Sequence, residues 1–361
     1  MTDLSDDLKK LREHIDQLDE QIQSLISERA RLAEEVARTK QANGDDVFYR
    51  AEREAQVLRN VMQRNQGPLS NEEMARLFRE IMSACLALER IMNIAFLGPE
   101  GTFTQAAALK HFGHSVQTLP MGTIGDVFRE VGSGTASYGV VPVENSIEGV
   151  INHTLDEFMT SSLSICGEVE LRIHHHLLSK SAVIGDIRKV YSHRQSLAQC
   201  RKWLDSNLSG VEQVDVSSNA EAARLASADP ESAAIAGESA ADIYELDYLA
   251  KNIEDHPENT TRFLVVGRRV TPPSGNDKTS MLVYTRNRPG ALYGMLEPFA
   301  KHDISMSRIE SRPSRQGMWN YAFFIDIEGH IDDSNVSQAI RELDETASMV
   351  KVLGSYPRAV L

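Results

Sequence analysis

The sequence predicts a multidomain chain of three classes: an all-helical N-terminal domain, a central α/β domain and a C-terminal ferredoxin-like βαββαβ unit. Residues 1–90 are almost free of Gly and Pro and rich in Leu, Glu, Arg and Gln, the composition of long helices. From Ile94 onward, short apolar runs such as NIAFLG, YGVVPVEN, LSICGEVEL, RKVYSH, AAIAG and RFLVVG alternate with turn residues and helix-like stretches. That alternation indicates an α/β domain with a largely parallel sheet. Beyond VTPPSGNDK at 270–278, whose prolines and glycine suit a linker, SMLVYTR, a helix near 290–302, ISMSRIES, WNYAFFIDIEG, a helix near 333–346 and MVKVLGSYP spell βαββαβ. The expected divisions are 1–92, 93–270 and 278–357.

Composition narrows the function classes. At 361 residues, 41% hydrophobic and 25% charged, the chain has material for several real cores. A formal net charge of −14 argues against a general nucleic-acid surface, so an anionic ligand is expected to be held by local cations. MTDLSDDLKK lacks the basic start and apolar core of a secretory signal, and no apolar run approaches the roughly 20 residues of a membrane span. The cytosol is therefore the expected compartment. Cys85, Cys166 and Cys200 are far apart and odd in number, which suits neither a disulfide framework nor a CxxC metal pair. His174, His175 and His176 alternate across a strand with no further ligand specified, so a structural or crevice-lining role is expected and no metal.

In the helical segment Leu4, Leu8, Leu11, Ile15, Leu18, Ile22 and Leu25 form a heptad seam that wants a partner helix, and the next seam position is Arg29. An arginine there needs an anion or a partner to neutralise it. Lys40 follows Arg29 within about 20° of azimuth and roughly 16 Å along the axis, so the two can flank one small dianion. Arg12 lies roughly 25 Å away from Arg29 and about 100° around the helix, and can reach only a neighbour's ligand. Two-fold pairing of antiparallel helices would complete two such sites. A plain coiled coil with solvated or Glu-paired arginines fits the periodicity as well. Further helices are expected from about 50 to 63 and from 71 to 87 or beyond, the latter capped by Ser70.

LREHIDQLDEQIQSLISERARLAEEVARTK, REAQVL and RLFREIM resemble the helical type of chorismate mutase, in which helices of two chains bind chorismate and rearrange it to prephenate. The resemblance implies Arg12 (from the partner chain), Arg29 and Lys40 as carboxylate-binding cations, with Arg53 and Glu54 as the family's Arg-Glu pair, the Glu holding a substrate hydroxyl. Three positions depart from the family: Arg50 replaces an acidic residue, Cys85 a serine, and Glu89 the glutamine that faces the ether oxygen. A glutamate donates to that oxygen only when protonated, so a raised pKa is expected for Glu89.

In the α/β segment GPEGTFT lacks the lysine of a P-loop and the spacing of GxGxxG. Its backbone N–H groups and the hydroxyls of Thr102 and Thr104, near a helix start, suit a carboxylate or hydroxyl instead. Glu144, Asn145 and Ser146 follow an apolar strand, as do Ser192, His193 and Gln195, while Thr261 and Arg262 precede one. Polar groups at strand ends of α/β sheets face a ligand crevice or cap the strand. Arg262 is expected to pair with a substrate carboxylate and Thr261 to donate to a leaving hydroxyl. In this order the GPEGTFT, ENS, SHRQ and TRF blocks resemble prephenate dehydratase. That resemblance implies two lobes like those of periplasmic binding proteins, and loss of CO2 and water from prephenate to give phenylpyruvate, with no cofactor. Arg194 stands where the family usually has Pro, adding a cation or altering the turn.

The C-terminal blocks, with Gly290, Ala291 and Leu292 followed by Tyr293, and Glu310, Ser311 and Arg312, resemble the ACT regulatory domain. The resemblance implies phenylalanine as effector, bound between ACT domains of a homodimer or higher homo-oligomer. A ligand-binding regulator would share the lobes and the acidic balance, but it would need a helix-turn-helix or an export signal, and neither is evident. A dehydratase whose helical segment only dimerises stays open, given Arg50, Cys85 and Glu89.

Overall fold

The computed structural model describes residues 2–44, 47–285, 288–313 and 321–360, so 286–287 and 314–320 of the C-terminal motifs fall outside it. Helix α1 (Thr2–Ala42) runs unbroken for 41 residues, as its lack of Gly and Pro dictates. Helix α2 (Ala51–Arg64) and α3 (Asn71–Glu89) follow, the latter capped by Ser70, whose Oγ accepts the Glu73 N–H at 3.1 Å. The heptad seam of α1 is uncovered in the single chain: Leu8, Leu11, Ile15, Leu18, Ile22, Leu25, Leu32 and Val36 are each between 43% and 64% exposed.

The central domain folds as two lobes. The first contains β1 (Asn93–Leu97), α4 (Phe103–Phe112), β2 (Gln117–Met121), α5 (Ile124–Ser133), β3 (Tyr138–Asn145), β4 (Gly149–Val150), α6 (Asn152–Thr160) and β5 (Ser164–Arg172). The second contains β6 (His176–Ser179), β7 (Lys189–Ser192), α7 (Arg194–Gln199), α8 (Arg201–Asn207), β8 (Glu212–Asp215), α9 (Asn219–Ser227), β9 (Ser232–Ala236), α10 (Glu238–Ile243) and β10 (Asp247–Ala250). The chain then returns to the first lobe as β11 (Thr260–Gly267). Strand order is β2-β1-β3-β11-β5 in the first sheet and β10-β6-β9-β7-β8 in the second. Both sheets are mixed rather than largely parallel. The reason is the double crossing: β11 re-enters from the opposite end and lies antiparallel between β3 and β5, and in the second lobe β6 is antiparallel to both of its neighbours.

The C-terminal unit is βαββαβ as expected, with β12 (Asp277–Thr285), α11 (Ala291–Lys301), β13 (Met306–Pro313), β14 (Tyr321–Glu328), α12 (Ser334–Thr346) and β15 (Met349–Pro357), in the order β13-β14-β12-β15. Strand β12 is buried on both faces, its polar first half of Asp277, Lys278, Thr279 and Ser280 paired or hydrogen-bonded and its Met281, Leu282 and Val283 apolar. Met281 and Val283 pack with Phe299, Ile325 and Leu343 beneath the two helices. Leu282 and Tyr284 point the other way and share one core with Val141, Ile165, Leu264 and Val266 of the first lobe. The C-terminal sheet is thus an added layer of the first lobe.

Backbone meets backbone in that layer at Gly354, where an added Cβ would lie 2.8 Å from the Ile165 nitrogen. Gly354→Ala is expected to lower stability by about 1–3 kcal/mol through overpacking, read as an earlier urea midpoint. Gly294→Ala, on a helix with open space around it, should leave the midpoint unchanged or raise it.

Candidate active sites

Between the two lobes lies a cleft of about 750 Å³ lined by Thr102, Phe103, Thr104, Asn145, Glu148, His175, His193, Gln195, Gln199, Asn219 and Thr261, among others. Three helices start at its wall. Thr102 caps α4, accepting the Gln105 N–H, His193 caps α7, accepting the Gln195 N–H, and Ser218 caps α9, accepting the Glu221 N–H. Helix starts carry positive partial charge and free N–H groups, so the wall favours anions without a formal cation. Among the described residues that line the cleft there is neither Lys nor Arg. The expected local cation is therefore absent.

Thr261 follows the pattern of its strand. Its side chain faces the cleft, and its Oγ1 accepts from Asn145 Nδ2 at 2.8 Å. Asn145 Oδ1 in turn accepts the Ile147 and Glu148 N–H groups at 3.0 and 2.9 Å, which fixes the amide so that its nitrogen points at Thr261. With its oxygen accepting, the Thr261 O–H is left to donate into the cleft. Thr104 and Thr102 differ in the same way. Thr102 Oγ1 donates to Leu97 O at 3.2 Å, whereas the hydroxyl of Thr104 has no partner among the described residues and is the one open to a ligand.

Other expected residues fall elsewhere. Arg262 does not line the cleft. Successive side chains of a strand point to opposite faces, and Arg262 points away from Thr261 into the layer beneath the regulatory sheet. There Nε meets Glu168 Oε2 at 2.9 Å, Nη1 meets Asp326 Oδ2 at 2.5 Å and Nη2 donates to Tyr356 Oη at 2.9 Å. Glu168 also holds Lys278 at 2.9 Å, and Asp326 accepts from Ser280 Oγ at 2.5 Å, so the buried charges are paired and hydrogen-bonded. Glu144 likewise turns from the cleft to Arg308 of β13 at 3.2 Å. Ser146 Oγ accepts the Thr260 N–H at 3.0 Å and Ser192 Oγ donates to Ile235 O at 2.9 Å, both as strand-end ties rather than cleft groups. His193 and Gln195 do line the cleft. Arg194 is exposed at the first position of α7, where a proline is also tolerated, and does not line the cleft.

Sequence reasoning missed Gln199, Asn219 and Glu148. Asn219 Oδ1 accepts the His193 N–H at 3.1 Å and lies 3.1 and 3.0 Å from the Ser192 and Ser196 hydroxyl oxygens, tying the starts of α7 and α9 together. Gln199 follows Gln195 by four residues, the helical spacing that would have marked both as one face. Their amide nitrogens each lie 3.4 Å from a Glu148 oxygen across the cleft. The three adjacent histidines have separate partners. His174 Nδ1 meets Glu254 Oε1 at 2.8 Å and His176 Nδ1 accepts the Asn252 N–H at 3.1 Å, while His175 alone lines the cleft.

In the helical domain, Lys40 Nζ donates to Val47 O and Phe48 O at 3.2 and 3.5 Å, folding the connection to α2 back onto α1. The charge of Lys40 is felt by Glu89 on α3, four residues from the buried Cys85 and so on the same face. Burial raises the pKa of Glu89 and Lys40 opposes the rise, and Oε2 is buried with no hydrogen-bond partner. Arg29 is half-buried, while Arg12 and Arg53 are exposed. Glu54 corrects its expected role. It points inward to Arg79 at 3.3 Å, in a small cavity shared with Tyr49 and His111 at the junction with the first lobe, and burial raises its pKa against the pull of Arg79. The other carboxylate of α2, Glu52, lies 3.8 Å from Arg50.

A third cavity of about 300 Å³ lies in the regulatory unit, lined by Thr285, Arg288, Gly290, Ala291, Leu292, Tyr293, Ser311, Tyr321 and Phe323. Gly290 takes φ +79 to start α11, a conformation that favours glycine. Glu310 and Arg312 do not line it. They sit on the other face of β13 from Ser311, and Arg312 Nη1 pairs with Asp156 of α6 at 2.9 Å.

A helical bundle half, a two-lobed cleft whose walls carry helix starts in place of Lys or Arg, and a sensor-like α/β unit fused beneath it define a multifunctional enzyme with a built-in regulatory domain. Family models match in that order: chorismate mutase type II at residues 11–90, prephenate dehydratase at 94–271 and ACT domain at 279–345. Bifunctional chorismate mutase/prephenate dehydratases of Stutzerimonas stutzeri and Pseudomonas aeruginosa are 58% and 57% identical to the chain, each aligned over 99% of both proteins. A crystal structure of prephenate dehydratase from Arthrobacter aurescens in complex with L-Phe superposes with a TM-score of 0.69 at 36% identity, covering 74% of this chain and 90% of that one. The chain belongs to the bifunctional chorismate mutase/prephenate dehydratase family.

Because Arg262 neutralises Glu168 and Asp326 away from the substrate, Arg262→Gln should cost about 3–5 kcal/mol of stability by stranding buried carboxylates. The folded fraction, assayed in the cold, should keep its KM for prephenate within about threefold. A lost substrate ion pair would instead raise KM by about 10² or more.

Proposed function

We propose that the chain carries out two consecutive reactions, chorismate to prephenate at the helical domain and prephenate to phenylpyruvate in the cleft, with phenylalanine acting through the C-terminal cavity. The observation that carries the dehydratase half is the Thr261 hydroxyl, held as an acceptor by Asn145 and so left to donate, in a wall built from three helix starts. Conversion of the prephenate dianion to phenylpyruvate, CO2 and water takes up one proton. That proton reaches the departing hydroxyl oxygen as the ring gains aromaticity, and Thr261 is the donor nearest that role. Thr104, Gln195 and the helix starts hold the carboxylates.

For the mutase, Arg29, Lys40 and Glu89 act on chorismate together with Arg12 of a second copy. The exposed seam of α1 supports this reading, since its apolar residues are too many to leave in water and Arg12 is too distant to serve its own Arg29. The enzyme works as a homodimer or a multiple of one, with the three functions divided near 92 and 270–278. Among the described residues no helix is long and apolar enough to cross a membrane, and we place the enzyme in the cytoplasm with the rest of its chemistry. Phenylalanine binds at Gly290, Ala291, Leu292 and Ser311, supported by the relative crystallised with L-Phe.

Purified protein given chorismate should release phenylpyruvate. Thr261→Ala should consume chorismate at the normal rate and accumulate prephenate, with dehydratase kcat reduced about 10²- to 10⁴-fold. Release of phenylpyruvate by that variant at the normal rate would refute the assignment.

Glu89 gives the mutase a pH signature. Its pKa is raised, so the protonated, donating form prevails below that pKa and is lost as pH rises through it. Mutase kcat/KM should therefore fall from mildly acidic to alkaline pH, and Glu89→Gln should flatten the profile. A wild-type profile that is already flat would overturn the role of Glu89.

A further inference from the structure

We infer that His175 contacts the substrate of the dehydratase, its Nδ1 accepting the hydrogen of the hydroxyl group that leaves. The inference rests on the reading of Thr261 as the donor to that same hydroxyl. His175 lies where the chain crosses between the lobes, lines the cleft, and is only 1% exposed. Its Nε2 is 2.9 Å from Gln199 Oε1, and its Nδ1 is buried with no partner. Around it runs a chain of amides whose directions are fixed from both ends. At one end Asn145 Oδ1 accepts two backbone N–H groups, so Asn145 Nδ2 donates to Asn259 Oδ1 and Thr261 Oγ1, both at 2.8 Å. Asn259 Nδ2 must then donate to Gln199 Oε1, at 3.1 Å. At the other end Gln199 Nε2 faces the Glu148 carboxylate, which can only accept.

The oxygen of Gln199 therefore receives both Asn259 and His175. A carboxamide oxygen cannot donate, so His175 carries its proton on Nε2 and presents a bare lone pair at Nδ1. Burial lowers its pKa, which keeps the lone pair in neutral solution. One network thus ends in two complementary groups on residues that line one cleft, a hydroxyl left to donate at Thr261 and a buried acceptor without a protein partner at His175. A carboxylate would be repelled by the imidazole lone pair, whereas a hydroxyl satisfies both ends: its oxygen takes the hydrogen bond of Thr261 and its hydrogen points to Nδ1. His175 transfers no proton in this role. It orients the C–O bond that breaks, with the leaving oxygen turned toward its donor, and it sorts the hydroxyl of prephenate from its carboxylates.

Two substitutions separate this contact from a merely structural role. His175→Gln can keep a donor to Gln199 near the Nε2 position while losing the Nδ1 acceptor, and His175→Asn keeps an acceptor near Nδ1 while abandoning Gln199. Prephenate turnover by His175→Gln should fall about 10²-fold in kcat, the scale of one hydrogen bond made at the reacting group, with KM moved less than about threefold. His175→Asn should recover at least about tenfold of that loss. Chorismate consumption by both variants should match the wild type and so report folding of the same chains. The inference is overturned if His175→Gln is as active as the wild type, if His175→Asn is the more damaged of the two, or if both fail together with a lowered melting temperature. A Thr261→Ala variant assayed beside them keeps the readings apart. If it is inactive while His175→Gln is active, only the His175 contact is wrong, and if it is active the donor assignment itself is wrong.

Discussion

The pleat of β11 ties the three functions to one another. Thr261 faces the cleft and Arg262, its neighbour, faces the layer under the regulatory sheet, because consecutive side chains of a strand cannot share a face. The strand lies between β3 and β5, so it is held on both edges, and its partner residue Asn145 on β3 is paired in register with Thr261. One residue of slip would exchange the two faces and place a guanidinium in the cleft and a hydroxyl among buried carboxylates. The buried network of Arg262, Glu168, Asp326, Lys278 and Tyr356 therefore fixes the register on which the catalytic face depends. Arg308 and Glu144 repeat the arrangement one residue before Asn145, and Arg312 and Asp156 repeat it at α6. The regulatory strand that carries Ser311 toward its cavity carries Arg308 and Arg312 toward the dehydratase.

A cleft without Lys or Arg among the described residues suits the chemistry it serves. A guanidinium on the carboxylate that departs would stabilise the ground state, and that charge vanishes as CO2 forms, so a strong ion pair there would be weakened in the transition state. Helix starts and hydroxyls, which we propose hold the dianion, would bind it more gently and need no side chain to reorganise. The cost falls on Glu148, whose negative charge bridges to Gln195 and Gln199 across the same space.

Much of this was legible in the residues. The long helix, its seam, the Ser70 cap and the βαββαβ order follow from period and punctuation, and Thr261, Asn145, His193 and Gln195 sit where blocks at strand ends put them. What was not legible shares one cause, the direction of a side chain relative to a partner far away in sequence. Arg262 was read as a substrate cation because its complement, Asp326, is 64 residues away in another domain. Glu54 was placed in the mutase site because nothing local shows that Arg79 waits on its inner side. Glu310 and Arg312 were grouped with Ser311 although strand period sends them to the opposite face. His175 appeared as one of three alike until distinct partners separated them.

Helix α4 begins at the cleft with Thr102 and Thr104 and ends against the helical domain, where Arg79 Nη1 donates to Lys110 O at 2.6 Å and Tyr49 Oη meets His111 Nε2 at 3.1 Å. Tyr49 also packs on Phe112, and Glu80 takes both the backbone N–H and ring nitrogen of His114. The two enzymes are thus welded through a shared hydrophobic cluster rather than strung on a tether. A dehydratase cut free at this junction would carry an uncovered aromatic patch and a half-buried imidazole returned to water. Modularity in this chain is a property of its genealogy and no longer of its mechanics: the halves that family models separate have become one folding surface, and moving either one elsewhere requires a new skin.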